Sequence, residues 1–545
     1  MSNTHAKRSG YDETTPVLIA GGSLVGLSTS LFLSWYGIPC IVLEPHAGTS
    51  PHPRAFNFNM RTMEFFRTVG AEEAIRLAQS PALQNSGILK AESLVGKELG
   101  WVTQDTTGSN ISPVHGSIIG QDMLEPVLRA RAGQLGADIR FNTKLVSFEQ
   151  DENGVSAVIR DRTARAQRTI RARYLIAADG HRSAIRERLG IKVEGPGTLG
   201  HQISILFSTN MQEALRSRNL AVCFINNAAA RQGMCLVFAR SGQGFALFAP
   251  YYPDKGEHEN DFCGQHGISL VREAIGIADL PVEITSVRPW EVAAWVAEHF
   301  QQGNVFLVGN AAHVSPPAGA FGANAGIADA YNLAWKLAFT LRGEAGPELL
   351  ATYSTERVPV DRLMVEQSCA MFTRLSPLAH GKSVVESVDY DAIAFGYRYN
   401  TPIASDHPQD DVCYEDPHHP QGYPGSHAPH VILEHDSKQL STLDLFGRTF
   451  VLLTGCDGGV WQDAARCMEQ ALGLVVASYR IGSTGDFLDP TERFLTSYGV
   501  RPNGAVLIRP DGFIGWRAQD ADQYPAQTLE KVLRLLLGRR SSPDR

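Results

Sequence analysis

Apolar residues near the start of the chain fall into runs of two kinds. Pro16–Ala20 (PVLIA) is almost unbroken and stops at glycine, the pattern of a short buried strand. Leu24 to Tyr36 follows as a predicted helix ended by Gly37, and residues 37–44 (GIPCIVLE) read as a turn and a second buried strand. From about Thr198 to Val287 the texture changes. Ile203–Phe207, Cys235–Phe238 and Phe245–Ala249 are short apolar runs, which predict an antiparallel sheet inserted between two parts of the first domain. Asn304–Gly309 returns to the buried-strand pattern. Beyond it, Ile327, Tyr331, Ala334, Leu337, Ala338 and Leu341 are spaced as one helical face.

Thr401 to His430 is rich in Pro, Asp, His and Gly and reads as a solvated linker. After it, Phe450–Leu453, Trp461–Leu472, Val475–Ile481, Ala505–Ile508 and Pro525–Leu537 read as strand, helix, strand, strand and helix. The expected organisation is a disordered tail (1–15), a discontinuous α/β domain (16–197 and 288–400) and an inserted domain (198–287). Residues 80–115 contribute to the insert's side, and a linker (401–429) and a C-terminal α/β domain (430–545) complete the chain.

Composition narrows the function classes. The chain has 545 residues, of which 43% are hydrophobic and 19% charged. A net charge of −8 argues against nucleic-acid binding, which needs clustered Lys and Arg. No apolar run approaches the roughly 18 residues of a membrane span, and the polar N-terminus lacks a secretory core. The eight cysteines are scattered without a C-x-x-C pair, which predicts reduced thiols and a cytoplasmic location.

Gly21-Gly22-Ser23-Leu24-Val25-Gly26 joins the first strand to the first helix. Glycines there permit a tight turn and close backbone approach to a pyrophosphate, which the helix N-terminus attracts. Glu44, at the end of the second strand, is placed to accept hydrogen bonds from ribose hydroxyls. The middle glycine of the usual pattern is Ser23. The carboxylate at Glu44 disfavours the extra phosphate of NADP, leaving FAD or NAD, and this motif alone does not choose between them.

Two further motifs carry a resemblance. Asp179-Gly180-His181-Arg182-Ser183-Ala184-Ile185-Arg186 resembles D-G-x-x-S-x-x-R. Gly309-Asn310-Ala311-Ala312-His313, with Pro316-Pro317-Ala318-Gly319-Ala320-Phe321-Gly322-Ala323-Asn324, resembles G-D-A-A-H…P-P-x-G-G-x-G-x-N. Both are signatures of class A flavoprotein aromatic hydroxylases, and the chain is most similar to the anthracycline and angucycline hydroxylase group. The resemblance covers most of the chain, including Pro53-Arg54-Ala55, Gln121-Asp122-Met123-Leu124-Glu125-Pro126 and two C-terminal segments.

It implies a Rossmann-like FAD-binding domain of the glutathione-reductase type, an antiparallel substrate domain and a thioredoxin-like domain lacking C-x-x-C. The implied cofactor contacts are Gly21, Gly22, Ser23, Gly26, Glu44, Arg54, Gln121, Asp179, Gly309, Asn310, Pro317, Gly319, Gly322, Ala323 and Asn324. Asn310 stands where the family has an aspartate, keeping an acceptor oxygen but losing the charge.

The implied reaction is hydroxylation of an aromatic substrate, phenolic or polyketide, by a flavin hydroperoxide made from dioxygen. NAD(P)H is a transient reductant. Arg398 is the candidate catalytic residue, and His313 is read as part of the motif's turn. Phe224, Phe238, Phe248 and Trp290 are candidate pocket walls. His407, His418, His419, His427, His430 and His435 match no zinc spacing, so no metal is expected. Baeyer–Villiger insertion and a non-catalytic flavin-binding scaffold stay open, as do NADH against NADPH and monomer against homodimer. The W-x-W-x-x-P signature of flavin halogenases is absent.

Overall fold

The first helix, Leu24–Trp35, packs against a sheet whose strands are apolar on both faces, and that sheet organises the molecule. A computed structural model describes residues 10–50, 55–80, 86–102, 110–227, 231–238, 244–375, 386–400 and 412–539. The sheet runs Gln301–Gln302, Val305–Leu307, Gln167–Ala177, Glu13–Ala20, Cys40–Leu43, Asp138–Arg140, with the hairpin Thr143–Asp151/Gly154–Asp161 laid on Gln167–Ala177. The inner pairings are parallel. Val17, Leu18 and Ile19 are wholly buried between helices, as unbroken apolar strands require. Helices Phe321–Leu341 and Gln121–Gln134 pack on Leu24–Trp35.

The second sheet has the order His313–Val314, Glu283–Ala297, Val193–Ser208, Gly244–Tyr251, Met234–Val237, Leu220–Ile225, Gly87–Ala91, Glu98–Val102. It is wider than the 198–287 boundary. Val193–Ser208 and Glu283–Ala297 run past both ends and pair as far as Val193↔Ala297. Register shifts at Glu194/Gly197 and Thr198/Gly200 break the alternation there, so the sequence pattern did not mark those ends as strand. Helix Gln265–Ile275 covers one face, burying Leu270, Val271, Ala274 and Ile275 with Ile203, Ile205, Phe207, Leu247 and Ala249.

The C-terminal four-stranded sheet has the order Val476–Ile481, Phe450–Gly455, Ala505–Ile508, Ile514–Ala518. The last strand escaped the sequence reading because IGWRA is short and carries a glycine. The linker reading is corrected for the part that is described. Residues 396–398 and 413–415 exchange backbone hydrogen bonds, and Ser426 and Ala428 are 1% exposed. Polar composition signals missing regular structure, not missing packing. His407 lies outside the described residues. His418 pairs with Asp391, His419 with Asp416 and His430 with Ser441, while His435 bonds the Asp486 carbonyl. Among the described residues, no helix is long and apolar enough to cross a membrane.

Candidate cofactor and substrate site

The three motifs, far apart in sequence, meet because their strands end level. Ala20 is in register with Ala177 and with Leu43, and Ala177 with Leu307. Gly21, Glu44, Asp179 and Gly309 therefore emerge together at the carboxyl edge of the parallel sheet, where such folds bind nucleotides.

The first loop is a backbone cradle. A Cβ on Gly21 (φ +109°) would lie 2.2 Å from the Ala178 carbonyl oxygen, and one on Gly26 would lie 1.9 Å from that of Gly21. These contacts press the helix onto the strand turn and aim its N-terminus at the edge of the sheet. No acidic side chain occupies that first helical turn, so its positive end is uncompensated. Gly22 N–H donates to Glu44 Oε2 (2.8 Å), and His46 donates to Oε1 through its backbone (2.9 Å).

Ser23 needs no glycine backbone: its φ of −89° and ψ of −169° are extended. Its hydroxyl donates to Glu125 Oε1 (2.7 Å) and accepts from Gln121 Nε2 (3.0 Å). Gln121 Nε2 also donates to Glu125 Oε1 (2.6 Å), while Ser50 N–H donates to Oε2 (2.9 Å). Glu125 is wholly buried and was not singled out from the sequence. Its position four residues after Gln121, on the same helix face, was the available signal. Arg54 lies outside the described residues.

Asp179 accepts from Ile185 N–H (3.3 Å), and Ser183 caps the following helix through Arg186 N–H (3.0 Å). Burial raises the Asp179 pKa, with hydrogen bonds opposing. Arg186 Nη1 donates to the carbonyls of His181 and Ala311 (both 3.2 Å), tying the second motif to the third. Asn310 is exposed in the turn Gly309–Ala311. Pro317 is exposed just before the turn Ala318–Ala320, and Gly319 and Ala320 (φ +78° and +55°) aim the helix Phe321–Leu341. Its first turn, holding Gly322 and Ala323, has neither a side-chain cap nor an acid. That leaves the N–H groups free to face an anion.

Asn324 is used differently from the expectation of a cofactor contact. Its Oδ1 accepts from Asn59 N–H (3.1 Å) and Thr62 Oγ1 (2.6 Å), and its Nδ2 donates to the carbonyls of Asn57 (3.1 Å) and Ala320 (2.7 Å). The amide is saturated by protein, so it pins the helix start to residues 57–62. Arg398 lies between Tyr397 and Tyr399, whose rings pack with Phe321 and Ala325 of the helix Phe321–Leu341. It is buried where the chain turns toward the C-terminal domain, its Nη2 donates to the Val412 carbonyl, and its N–H donates to Cys413 O (2.8 Å).

Beneath the Gly309–His313 turn lies a wholly buried charge cluster that sequence reading missed. Asp329 Oδ2 accepts from Gly309 N–H (2.9 Å) and pairs with His313 Nε2 (2.8 Å), holding both ends of the turn. Arg357 donates from Nε to Asp329 Oδ1 (2.8 Å) and from Nη2 to Asp361 Oδ1 (2.6 Å). Burial pushes the Asp361 carboxyl up to about 8, the Arg357 guanidinium opposes this, and the Asp329 carboxylate adds to it. The pKa of His313 is raised: burial works against its charge, and the Asp361 and Asp329 carboxylates outweigh it. His313, Asp329 and Asp361 are close enough together to chelate a metal. The guanidinium already bonded to both carboxylates supplies that positive charge.

On the second sheet, cross-strand register puts Arg288, Ser204, Phe248, Cys235, Phe224 and Lys90 in one row on the face opposite helix Gln265–Ile275. Trp290, two residues from Arg288, donates from Nε1 to Ser204 Oγ (2.9 Å) and meets Phe248 edge-on with centroids 6.0 Å apart. Phe238 departs from the expected wall. It packs against Phe245, which shares the helix-covered face with Phe207 (centroids 5.9 and 5.8 Å).

Comparison with known proteins agrees with this geometry. Residues 14–368 match an FAD binding domain family, and residues 421–540 match the C-terminal domain of aromatic-ring hydroxylases. A 4-methyl-5-nitrocatechol 5-monooxygenase of Burkholderia is 42% identical over 97% of this chain and 98% of its own. A tetracenomycin A2 monooxygenase-dioxygenase of Streptomyces glaucescens is 38% identical over 97% and 98%. The crystal structure of aklavinone-11 hydroxylase with FAD and aklavinone superposes with a TM-score of 0.92 at 35% identity, covering 98% of this chain and all of that one. The glycine cradle, the two open helix N-termini and the level strand ends fit a flavin dinucleotide, and the chain belongs to the FAD-dependent aromatic-ring hydroxylases, as a monooxygenase whose flavin is reduced by a nicotinamide cofactor.

Proposed function

We propose that this monooxygenase hydroxylates a planar phenolic substrate bound against the open face of the second sheet, with Arg288 stabilising the phenolate. The observation that carries this is the six-residue row. Two cations, Arg288 and Lys90, stand at the ends of a row whose interior is Ser204, Phe248, Cys235 and Phe224. Five strand spacings of about 4.8 Å give a row of about 24 Å, long enough for fused rings. One face of this sheet is covered by its own helix, which leaves the other for the cofactor domain.

Bound FAD, once reduced, supplies the electrons that activate dioxygen. The chain's residues orient and protect that chemistry. The first-turn N–H groups of Phe321–Leu341 favour negative charge on the flavin side. Gly21, Gly22, Ser23, Gly26, Glu44, Gln121, Asp179, Gly309, Asn310, Pro317, Gly319, Gly322 and Ala323 supply the rest of the cradle. The Asn324 side chain pins the start of helix Phe321–Leu341 to residues 57–62, and Arg398 is the candidate catalytic side chain beside Tyr397 and Tyr399. Opposite the cradle, the Arg288 guanidinium lowers the cost of ionising a phenol, which makes the ring a better nucleophile. Phe224, Phe248 and Trp290 offer aromatic surface for the rings and displace water.

The test is NAD(P)H oxidation with 18O2 across a series from nitrocatechols to polycyclic polyketide phenols. A substrate-accelerated rate with one labelled oxygen on a ring carbon supports the reading. Peroxide as the sole oxygen product, or a labelled ester, overturns it.

A further inference from the structure

The C-terminal domain has no C-x-x-C pair, and its two-fold attachment to the flavin domain points to a different use. One attachment has a partly exposed ion pair, Arg67 with Asp444 (2.8 Å), beside the buried bond from the Tyr36 hydroxyl to Gly447 O (2.7 Å). The other is buried throughout. Arg509 donates from both Nη atoms to Glu356 (2.7 and 2.9 Å), and from Nε and Nη2 to Asp511 (3.0 and 2.6 Å). Asp511 accepts from Trp335 Nε1 (3.1 Å), and Glu356 also accepts from Lys336 (2.7 Å) and Asn332 (2.8 Å).

Glu356 is followed directly by Arg357, which grips Asp329 and, through it, Gly309 N–H and His313. Asp329 lies one helical turn before Asn332 on the other helix. Tyr399 closes a second connection. Its hydroxyl meets Arg357 Nη1 (3.4 Å), and its ring stacks on Phe513 of the C-terminal domain at 4.1 Å. The Arg509 guanidinium lies over the same ring, 5.5 Å from its centroid. Every member of this path is less than 5% exposed. Each charge is thus held by a neighbour inside a low-dielectric core, where removing one partner strands the next.

We propose that the C-terminal domain is a positioning element for the flavin-binding turn Gly309–His313, acting through Arg509–Glu356 and Arg357–Asp329. It touches neither flavin nor substrate. It fixes where helix Glu348–Leu375 places Arg357, and hence where Asp329 holds the turn. This predicts that damage to the Arg509 attachment loosens FAD, while damage to the Arg67–Asp444 pair does not.

The experiment compares Arg509→Met, Arg509→Lys and Arg67→Met in the full-length holoprotein. It reads the FAD dissociation constant from flavin fluorescence, the melting temperature and the peroxide released per NAD(P)H. Arg509→Met is expected to weaken FAD binding about 10-fold and to raise the peroxide yield, with partial rescue by Arg509→Lys. Arg67→Met is expected to leave FAD affinity within about 2-fold. The proposal is overturned if Arg509→Met lowers the melting temperature but binds FAD as the parent does. It is also overturned if FAD affinity falls in both Met variants in proportion to melting temperature. Should Arg509→Met not fold, Tyr399→Phe removes only one hydroxyl from the path. A loss of about 3-fold in FAD affinity is then expected, and an unchanged affinity counts against the proposal.

Discussion

The flavin wall and the proposed substrate wall are built on different plans. The flavin wall is largely main chain: glycine turns, helix N-termini and strand ends, with buried carboxylates (Glu125, Asp329) holding the loops from behind. The substrate wall is side chain, projected from alternate positions of strands, with Ser204, Phe224, Phe248 and Trp290 only half-buried and Arg288 exposed. A main-chain cradle tolerates few changes because any added atom meets backbone. A side-chain wall changes freely without disturbing the fold, which fits relatives named for substrates as different as a nitrocatechol and tetracenomycin A2.

The largest break in this contrast should come from the buried support. Asp329→Ala leaves Arg357 and His313 without their shared carboxylate, and is expected to destabilise by about 3–5 kcal/mol in urea unfolding. A loss under about 1 kcal/mol would show the cluster to be dispensable. Next comes the cradle: Gly26→Ala puts a methyl into the Gly21 carbonyl and is expected to weaken FAD binding at least about 100-fold by fluorescence titration. On the other wall, Arg288→Gln is expected to lower kcat/KM for phenols about 10-fold, mostly through kcat, without changing FAD affinity. A matching loss of FAD affinity would erase the distinction between the walls.

A smaller effect is expected with pH. Asp361 holds its proton in the folded state at pH values where an unfolded aspartate has lost it. The stabilisation is therefore complete below the ordinary aspartate pKa and is lost as pH rises through about 8. Melting temperature should fall across that range, and Asp361→Asn should flatten the fall. An equal slope in the variant would assign the titration to another group. Smallest of all, Ser23→Gly should alter FAD affinity by no more than about 3-fold, because a helix N-cap accepts glycine at a cost of a few tenths of a kcal/mol. A larger loss would give the Ser23–Glu125 bond a direct part in cofactor binding.

Legibility in the sequence followed locality. The strand, turn and helix from Pro16 to Glu44 were readable because each signal depends on neighbours a few residues away, and the structure forms them as Glu13–Ala20, Leu24–Trp35 and Cys40–Leu43. The resemblance carried by the motifs at Asp179 and Gly309 identified the family. Three things were not readable. Phe238 fell on the wrong side because Cys235–Phe238 is apolar at every position, so the pattern does not say which parity faces the open side. Register with Leu247 puts Leu236 and Phe238 on the helix-covered face. Residues 412–430 were taken as solvated because composition does not report packing. Asp329, Arg357 and Asp361 look like ordinary surface charges at helical spacing until two helices meet.

The sequence by itself determined a dinucleotide site and its glycine cradle, since a pyrophosphate loop is a short-range device with strict steric demands, and the family motifs made that dinucleotide FAD. Only the tertiary structure decided which side chains share the open face of the second sheet, what stands behind Ser23, and how the C-terminal domain is joined to the flavin turn. Those depend on register between strands and on charges brought together from distant segments, such as Gly309, Asp329, Arg357 and Arg509. Their energies exist only once burial has removed the water that would otherwise screen them.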